Sequence, residues 1–389
     1  MAIIAYKYRL YPTKKQIAQL HWTLDRCREL YNAALQERRD AYRMCNVSIT
    51  YYDQAMQLPD IKELREEYHD IYSQVLQDVL RRVDKAFTAF FKRCKHGKTP
   101  GYPRFQGKGR YDSFTYPQAG FSVTHDNRVC LAKIGSIKVK LHRPIQGKVK
   151  TCTIKREGDH WYVVFVCEVK ITAFLESKET VGIDLGLLHF ATLSTGETIE
   201  NPRYLRHAET KLKKLQQALA RKKRGSNRRK KAVQRIAKQH RTIRNQRQDF
   251  LHKASRTLVN AYGLIVMEDL QIANLSKRPK PKQDEEGTYL PNGASAKAGL
   301  NKSICDAGWG LFQQYCAYKA ANAGRTMLLV DPRNTSQRCS SCGKLVKKEL
   351  RERWHSCECG CSLDRDHNAA INILWLGLNI FWLGRSHQA

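Results

Sequence analysis

The sequence has no long uninterrupted apolar segment and comparatively few acidic residues. Its longest apolar run, residues 371–384, is interrupted by Asn372 and Asn379 and is too short to cross a bilayer, so it predicts a buried helix. The N-terminus has neither the apolar core nor the cleavage site of a signal peptide. We therefore expect no membrane partner and a cytoplasmic, nucleoid-associated protein of the prokaryotic intracellular type.

Acidic residues are scarce relative to basic ones. Only 36 Asp and Glu stand against 69 Lys and Arg, which gives a formal net charge of +33. A surface this positive repels itself unless it meets a polyanion, so the composition predicts a nucleic-acid partner. Apolar residues still make up 42% of the chain, which favours folded domains over disorder.

The cysteines lack the distribution of a disulfide framework. Eight of the 13 are scattered singly, which without a secretion signal indicates a reducing compartment. The other five lie close together near the C-terminus, which predicts a metal site. They are Cys339, Cys342, Cys357, Cys359 and Cys361.

Hydrophobic periodicity changes twice along the chain. A strand at 2–10, a turn with Thr13 as helix N-cap, and amphipathic helices at 14–43 and 70–93 come first. Residues 113–170 then alternate with period two, which predicts a small antiparallel sheet or barrel. The first strand could pair into it, so that the helices would be an insertion.

A third pattern begins at Thr180 and predicts a mixed α/β domain. Apolar strands are expected at 181–186 and 264–270, with a hairpin between 190 and 199. A long helical stretch, 202–259, is broken near Gly225, and 276–299 has the composition of a mobile loop. Further expected elements are a helix at 309–323, a strand at 326–330 and a helix from Asn368.

The long helical stretch is strongly basic. Between Arg203 and Arg256 there are 20 Lys and Arg but only two acids, Glu209 and Asp249. A solvated helical hairpin is the plain alternative, but like charges at helical spacing cost stability without a counter-anion, which favours nucleic-acid contact. The predicted contacts are Lys213, Lys214, Arg221, Lys222, Lys223, Arg224, Arg228, Arg229 and Arg247, with Lys85 and Arg104 from the earlier region.

Three acidic residues occupy positions where strands or helix starts should be apolar. They are Asp184 within Gly-Ile-Asp-Leu-Gly, Glu268 at the end of an apolar run, and Asp366 before an apolar helix. Buried carboxylates cost several kcal/mol unless a cation compensates them. Two Mg²⁺ ions, ~3.5–4 Å apart, would fit such oxygen ligands and hydrolyse a phosphodiester. Taken singly, each acid has a structural explanation; Asp364 or Asp366, for example, could cap the helix.

At these residues the chain resembles the TnpB proteins of insertion-sequence transposons, which are similar to type V CRISPR effector nucleases. The most specific matching motifs are Met267-Glu-Asp-Leu, Asp306-Ala-Gly-Trp-Gly, Asn334-Thr-Ser-Gln-Arg-Cys and Asp364-Arg-Asp-His-Asn-Ala-Ala. The resemblance implies an RNA-guided, divalent-metal-dependent DNA endonuclease. Its partners would be a guide RNA from the transposon end and target double-stranded DNA with a short adjacent motif. Asp184, Glu268 and Asp366 match the family's catalytic positions.

The resemblance also implies an α/β multidomain plan. It comprises a wedge-like β-barrel at 1–13 and 98–176, a helical recognition domain at 14–97, and a RuvC-like, RNase H-fold nuclease domain at 177–332 and 364–389. The basic helical hairpin, 203–258, would belong to the nuclease domain. A zinc-binding insertion would occupy 333–363.

For the zinc, Cys339-Ser-Ser-Cys342-Gly has the spacing of a metal knuckle. The second half departs from the family's usual C-x-x-C, because it has Cys357-Glu-Cys359-Gly-Cys361. Cys359 matches the family's fourth ligand and Cys357 becomes the third, so Cys339, Cys342, Cys357 and Cys359 would hold one structural Zn²⁺. Cys361 is left as a spare thiol or as a replacement for Cys357 or Cys359.

Two other functions are open on the sequence. One is an RNA-guided DNA-binding protein that does not cut, which the intact carboxylates disfavour. The other is an accessory transposase, which the absence of a His-x-His pair with a nucleophilic tyrosine disfavours.

Overall fold

The computed structural model describes residues 2–170, 179–349 and 351–386. The chain divides into an N-terminal unit, residues 1–170, and a C-terminal unit, residues 171–389. The predicted boundary between the wedge-like and nuclease domains, at 176 and 177, lies outside the described residues.

The N-terminal unit combines helices with a sheet. Helix α1 begins where predicted, because the Thr13 hydroxyl accepts from the Gln16 N–H at 3.3 Å and Gln16 Oε1 accepts from the Thr13 N–H at 3.0 Å. The elements are β1 (Ala2–Tyr11), α1 (Lys14–Cys45), α2 (Tyr51–Met56), α3 (Leu58–Leu64), a 3-10 turn (Glu66–Asp70), α4 (Ser73–Lys95), β2 (Ser113–Tyr116), β3 (Phe121–Thr124), β4 (Arg128–Leu131), β5 (Gly135–Lys140), β6 (Lys148–Glu157) and β7 (His160–Val169).

The seven strands of this unit form one antiparallel sheet in the order β2-β6-β7-β1-β5-β4-β3. Strand β1 lies between β7 and β5, so α1–α4 interrupt the sheet in sequence. The predicted antiparallel sheet is confirmed, and among the described residues its strands do not close into a full barrel. Strands β2 and β3 are its edges, and no pairing among the described residues joins them.

The C-terminal unit contains the elements of a mixed α/β domain. They are β8 (Thr180–Asp184), β9 (His189–Leu193), β10 (Thr198–Glu200), α5 (Tyr204–Ala220), α6 (Asn227–Ala261), β11 (Leu264–Glu268), α7 (Ile272–Leu275), β12 (Lys282–Gln283), β13 (Tyr289–Leu290), α8 (Ala294–Ala307), α9 (Trp309–Asn322), β14 (Thr326–Val330), β15 (Trp354–Ser356), β16 (Ser362–Asp364) and α10 (Arg365–Ser386). The predicted loop 276–299 is wrong at its end, since α8 begins at Ala294.

The main sheet of this unit has the order β10-β9-β8-β11-β14, with β8, β11 and β14 parallel. Helices cover both faces. On one face, Ile183 and Met267 pack with Phe312 of α9 and Leu251 of α6. On the other, Val266 packs with Ile373 of α10. Because side chains alternate along a strand, Gly182 and Asp184 face α10, as do Val266 and Glu268.

The basic stretch is a helical hairpin, α5 and α6, broken at residues 221–226 near the predicted Gly225. Ser226 starts α6 by accepting from the Arg229 N–H at 3.2 Å. Across the described part of the chain, no helix combines the length and the apolar character needed to traverse a bilayer.

Candidate active site

Two of the predicted carboxylates end adjacent parallel strands. Asp184 is the last residue of β8 and Glu268 the last residue of β11. The register pairs Ile183 with Met267, so the two acids are at the same level and point to the same face of the sheet. The sheet therefore brings together two residues that are 84 positions apart in sequence.

Glycines allow α10 to lie close against these strands. A Cβ at Gly182 would be 2.2 Å from the Ala370 carbonyl oxygen, and one at Gly377 would be 2.3 Å from the Val266 side chain. Both positions would clash with any other residue. This close packing of α10 also places the third acid near Asp184. The Asp366 carboxylate lies 3.9 Å from the Cβ position of Gly186, two residues beyond Asp184.

Asp364 and Asp366 have different roles. The Asp364 carboxylate accepts from the N–H groups of Asp366 and His367 at 2.8 and 3.1 Å, so Asp364 caps α10. Asp366 is therefore not the cap of α10. Its side chain is 14% exposed. Arg365 Nε is 3.4 Å from its Oδ1. The sequence left both aspartates open as caps, and the backbone geometry decides between them.

Asp184 interacts electrostatically with each of the other two carboxylates. Burial, followed by the charges of Glu268 and Asp366, raises the pKa of Asp184 well above its ordinary value, and Arg365 opposes this only in part. Burial also raises the pKa of Glu268, although a hydrogen bond from Thr335 lowers it. A cluster in which neighbouring acids and burial both penalise ionisation favours a bound cation. Hard carboxylate oxygens are the ligands that Mg²⁺ prefers.

Glu268 is fixed by two residues that sequence reasoning missed. The Thr335 hydroxyl donates to Glu268 Oε1 at 2.6 Å, and Gln313 Nε2 donates to its backbone oxygen at 2.8 Å. Thr335 and Glu268 are 5% and 8% exposed. The signal available in the sequence was that Thr335 lies within the specific motif Asn334-Thr-Ser-Gln-Arg-Cys.

Two buried asparagines of α10 hold the segment that carries Thr335. Asn372 Nδ2 donates to the carbonyl oxygens of Thr335 and Arg338 at 2.9 and 2.7 Å. One turn earlier, Asn368 Nδ2 donates to Arg338 O at 2.8 Å, and its Oδ1 accepts from the Ser340 N–H at 3.0 Å. These bonds link α10 to the start of the cysteine cluster.

Four thiols converge in that cluster. The Sγ atoms of Cys339, Cys342, Cys357 and Cys359 all lie within 4.8 Å of one another. Cys339 is 3.6 Å from Cys359, and Cys342 is 3.6 Å from Cys357. Tetrahedral Zn²⁺ with Zn–S bonds of roughly 2.3 Å separates its sulfurs by about 3.8 Å, so these residues fit the ion.

The thiols also fit a cation electrostatically. Burial raises the pKa of Cys339, but hydrogen bonds, including those from the backbone of Cys342 and the side chain of His355, lower it to about 5. A backbone bond from Cys361 lowers the pKa of Cys359, yet the neighbouring thiols of Cys342 and Cys339 raise it to about 12. A bound cation would offset the repulsion between neighbouring thiolates in this cluster. Cys339, His355 and Cys361 form a second group within 4.8 Å.

Most of the predicted nucleic-acid contacts are exposed, but two are engaged within the fold. Arg229 Nη1 donates to Leu219 O at 3.1 Å and to Lys222 O at 3.2 Å, at the end of α5. Arg247 is ion-paired with Asp306 at 2.6 Å. The exposed residues are Lys213, Lys214, Arg221, Lys222, Lys223, Arg224 and Arg228 of the hairpin, with Lys85 and Arg104 of the N-terminal unit.

A groove between α5 and α6 adds basic residues that were not among the predicted contacts. Its volume is about 590 Å³, and its lining includes His207, Lys211, Arg235 and Lys238. Tyr204 at one end provides an aromatic ring. Lysine and arginine side chains that line a groove are suited to contacting a phosphate backbone.

Three sequence families match parts of the chain. Residues 164–278 match a family described as "Probable transposase", and residues 309–373 match the "Cas12f1-like, TNB domain". Residues 1–45 match a "Helix-turn-helix domain" of the same transposase group.

Individual relatives match over nearly the full length. The chain is 32% identical to "Putative RNA-guided DNA endonuclease InsQ" of Escherichia coli (strain K12), covering 99% of this chain and 95% of the relative. It is 35% identical to a "Putative RNA-guided DNA endonuclease" of Streptomyces pristinaespiralis, covering 96% and 89%. Proteins named TnpB-like, from Acanthamoeba polyphaga mimivirus, are 28% identical over 62% of this chain.

A solved structure has a similar fold. It is described as the mini-RNA-guided endonuclease CRISPR-Cas_phi3, and it matches with a TM-score of 0.50 at 11% identity. The match covers 97% of this chain and 92% of that chain. At this identity the likeness concerns the fold alone.

Proposed function

This chain belongs to the TnpB family, and on that premise we propose that it is an RNA-guided DNA endonuclease whose nuclease centre is formed by Asp184, Glu268 and Asp366. The observation that carries the proposal is the alignment of Asp184 and Glu268 at the ends of paired parallel strands, with Asp366 carried beside them by α10. The raised pKa of Asp184, caused by burial and then by the other two acids, supports a shared cation.

The carboxylates of this centre would hold two Mg²⁺ ions. Mg²⁺ held there would supply activation of a water for attack on the phosphodiester and stabilisation of the leaving oxygen. The chain's own groups would position these ligands: α10 and the sheet hold the acids, Thr335 hydrogen-bonds to Glu268, and Arg365 partly offsets the negative charge of Asp366. Their rigid placement matters because metal-assisted hydrolysis depends on position.

The cysteine cluster would hold one structural Zn²⁺ through Cys339, Cys342, Cys357 and Cys359. Four thiolates leave no open coordination position, so the ion would stabilise this short segment and take no part in hydrolysis. The C-x-C spacing is compatible with this role, because the Sγ atoms of Cys357 and Cys359 lie within 4.8 Å of each other and of the other two thiols.

The exposed basic residues would bind the guide RNA and the target DNA. Lys213, Lys214 and the loop residues 221–224, with the groove between α5 and α6, would neutralise phosphates, and Lys85 and Arg104 would do the same in the N-terminal unit. In RNA-guided recognition, base pairing specifies the target while the protein contacts the backbone and a short DNA motif. We extend the proposal to the domain plan predicted from the sequence, with a RuvC-like nuclease at 177–332 and 364–389.

One experiment tests this function. The protein is purified from cells that express its native locus, the copurifying RNA is sequenced, and cleavage of a matched DNA duplex is measured with Mg²⁺. We expect cleavage by the wild type and loss of at least a hundred-fold in rate for Asp184→Ala, Glu268→Ala and Asp366→Ala, with DNA binding retained. Guide-dependent binding without cleavage by the wild type would favour the non-cutting alternative and refute the nuclease.

A further inference from the structure

Thr335 is a buried hydroxyl with one strong acceptor. It lies 2.6 Å from Glu268 Oε1 and 3.2 Å from Pro332 O. A hydroxyl has a single proton, and a shorter bond to a charged acceptor is the stronger one, so the proton goes to the carboxylate. The bond restrains rotation of the Glu268 side chain, whose backbone oxygen is separately held by Gln313.

Thr335 is itself held by the helix that carries the third acid. Its carbonyl oxygen accepts from Asn372 at 2.9 Å, and the same amide group donates to Arg338, the residue before Cys339. Asn368 holds Arg338 and Ser340 from the preceding turn. Asn368 is fully buried and Asn372 is 6% exposed, so solvent offers no ready substitute partners.

We propose that Thr335 is a positioning residue that orients the Glu268 carboxylate for divalent-metal binding, and that Asn372 holds Thr335 in the position where it can do so. The inference rests on the proposed function, because it assigns Glu268 a metal. Under this proposal, residues 334–340 not only precede the cysteine cluster in sequence but also connect that cluster physically to the nuclease carboxylates.

The expected effect follows from the behaviour of residues that orient metal ligands. Removing such a partner typically weakens metal affinity 10–100-fold, because the ligand can then occupy unproductive rotamers. Glu268 is the last residue of β11. Among the described residues, the Thr335 hydroxyl donates a side-chain hydrogen bond to its carboxylate. We therefore expect loss of the hydroxyl to weaken metal binding more than it lowers the stability of the fold.

The experiment measures Mn²⁺ binding to the full chain by electron paramagnetic resonance, with Mg²⁺-dependent cleavage as a second readout. Thr335→Val keeps the shape and removes the hydroxyl; we expect Mn²⁺ affinity to fall about ten-fold. Thr335→Ser keeps the hydroxyl and should restore affinity to within about two-fold of the wild type. Thr257→Val is the matched control, since Thr257 is exposed on α6 and its hydroxyl donates to Lys253 O of the same helix.

A double-mutant cycle tests the coupling. If Thr335 acts through Glu268, Thr335→Val should have no further effect on Mn²⁺ affinity in a Glu268→Gln background, and Asn372→Ala should have none in a Thr335→Val background. Additive effects, or a Thr335→Val protein with wild-type Mn²⁺ affinity, would overturn the inference. If Glu268→Gln itself leaves Mn²⁺ binding unchanged, the proposed metal centre fails instead. Melting temperatures exclude an unfolded variant.

Discussion

Arg247 donates to Asp306 twice, from Nη2 to the carboxylate at 2.6 Å and from Nε to the backbone oxygen at 2.7 Å. The Asp306 carboxylate, 7% exposed, also accepts from the Leu205 N–H at 2.8 Å. One ion pair thus connects α6, the end of α8 and the start of α5. The sequence suggested a phosphate contact for Arg247, whereas its described partner is an acid within the fold.

Removing one member of this pair should destabilise the protein. Arg247→Ala would leave Asp306 charged and largely desolvated, at a cost of about 3 kcal/mol. Thermal or denaturant unfolding of the full chain measures this. Lys253→Ala is the control on the same helix, because its pair with Asp249 has side chains 75% and 64% exposed. Similar losses in both variants would contradict a structural role for Arg247.

Gly182→Ala should disrupt the packing of α10. The new Cβ would lie 2.2 Å from the Ala370 carbonyl oxygen, which is backbone and cannot move alone. We expect a lower melting temperature and reduced Mg²⁺ affinity, because α10 carries Asp366. Gly299→Ala is the matched control: it lies in α8 with no atom within 4 Å of its Cβ position, so it should stabilise the helix slightly. Equal behaviour of the two would mean that α10 is not packed this closely.

Asp184→Asn should stabilise the metal-free protein at neutral pH. The folded protein keeps the Asp184 proton to higher pH than the unfolded chain, whose Asp pKa is about 3.9. The unfolded state therefore releases its proton first, and wild-type stability falls as pH rises through that interval. Asparagine does not ionise, so the variant avoids this loss. Its free energy of unfolding should exceed that of the wild type by about 1–2 kcal/mol at pH 7 and by little below pH 4.

Asp184→Asn also tests whether Mg²⁺ stabilises the folded protein through the Asp184 carboxylate. Mg²⁺ should raise the melting temperature of the wild type and much less that of Asp184→Asn, since the amide no longer offers a charged ligand. A wild-type melting temperature that does not respond to Mg²⁺, with a variant no more stable at any pH, would argue against the shared cation.

Zinc content should distinguish the two overlapping groups of candidate ligands. If the four-thiol set is correct, Cys342→Ser and Cys359→Ser should lower zinc below one ion per chain, whereas Cys361→Ser should retain it. Cys305→Ser, an exposed cysteine of α8, is the control. Loss of zinc with Cys361→Ser but not with Cys359→Ser would assign the ion to Cys339, His355 and Cys361.

The loop between α5 and α6 should contribute to the salt dependence of RNA binding. Replacing Lys222, Lys223 and Arg224 by Gln should lower the slope of log affinity against log salt by about 2–3, if each contacts a phosphate. Swapping Lys for Arg and Arg for Lys at the same positions preserves charge and should leave the slope unchanged. A slope that the Gln variant does not alter would remove this loop from the interface.

Local pattern was sufficient for much of this fold. The helix N-cap at Thr13, the strand at 326–330 and the break near Gly225 follow from short-range rules that involve neighbouring residues only. The prediction failed where a low-periodicity segment, 276–299, runs into α8, whose start has no side-chain cap. It left a sheet and a barrel open for 113–170, because closure depends on long-range pairing of the edge strands β2 and β3.

The sequence alone determined that this chain is a basic, nucleic-acid-directed protein of the TnpB family, with three acids and a cysteine cluster worth testing, because composition and motif spacing are properties of the chain itself. Only the tertiary structure decided that Asp184 and Glu268 share a level, that Asp364 rather than Asp366 caps α10, and that Thr335 holds Glu268. The first and third relationships join residues distant in sequence through strand register and helix packing, and no local pattern encodes either. The capping of α10 is local, but the sequence pattern suits either aspartate, so the backbone geometry had to decide.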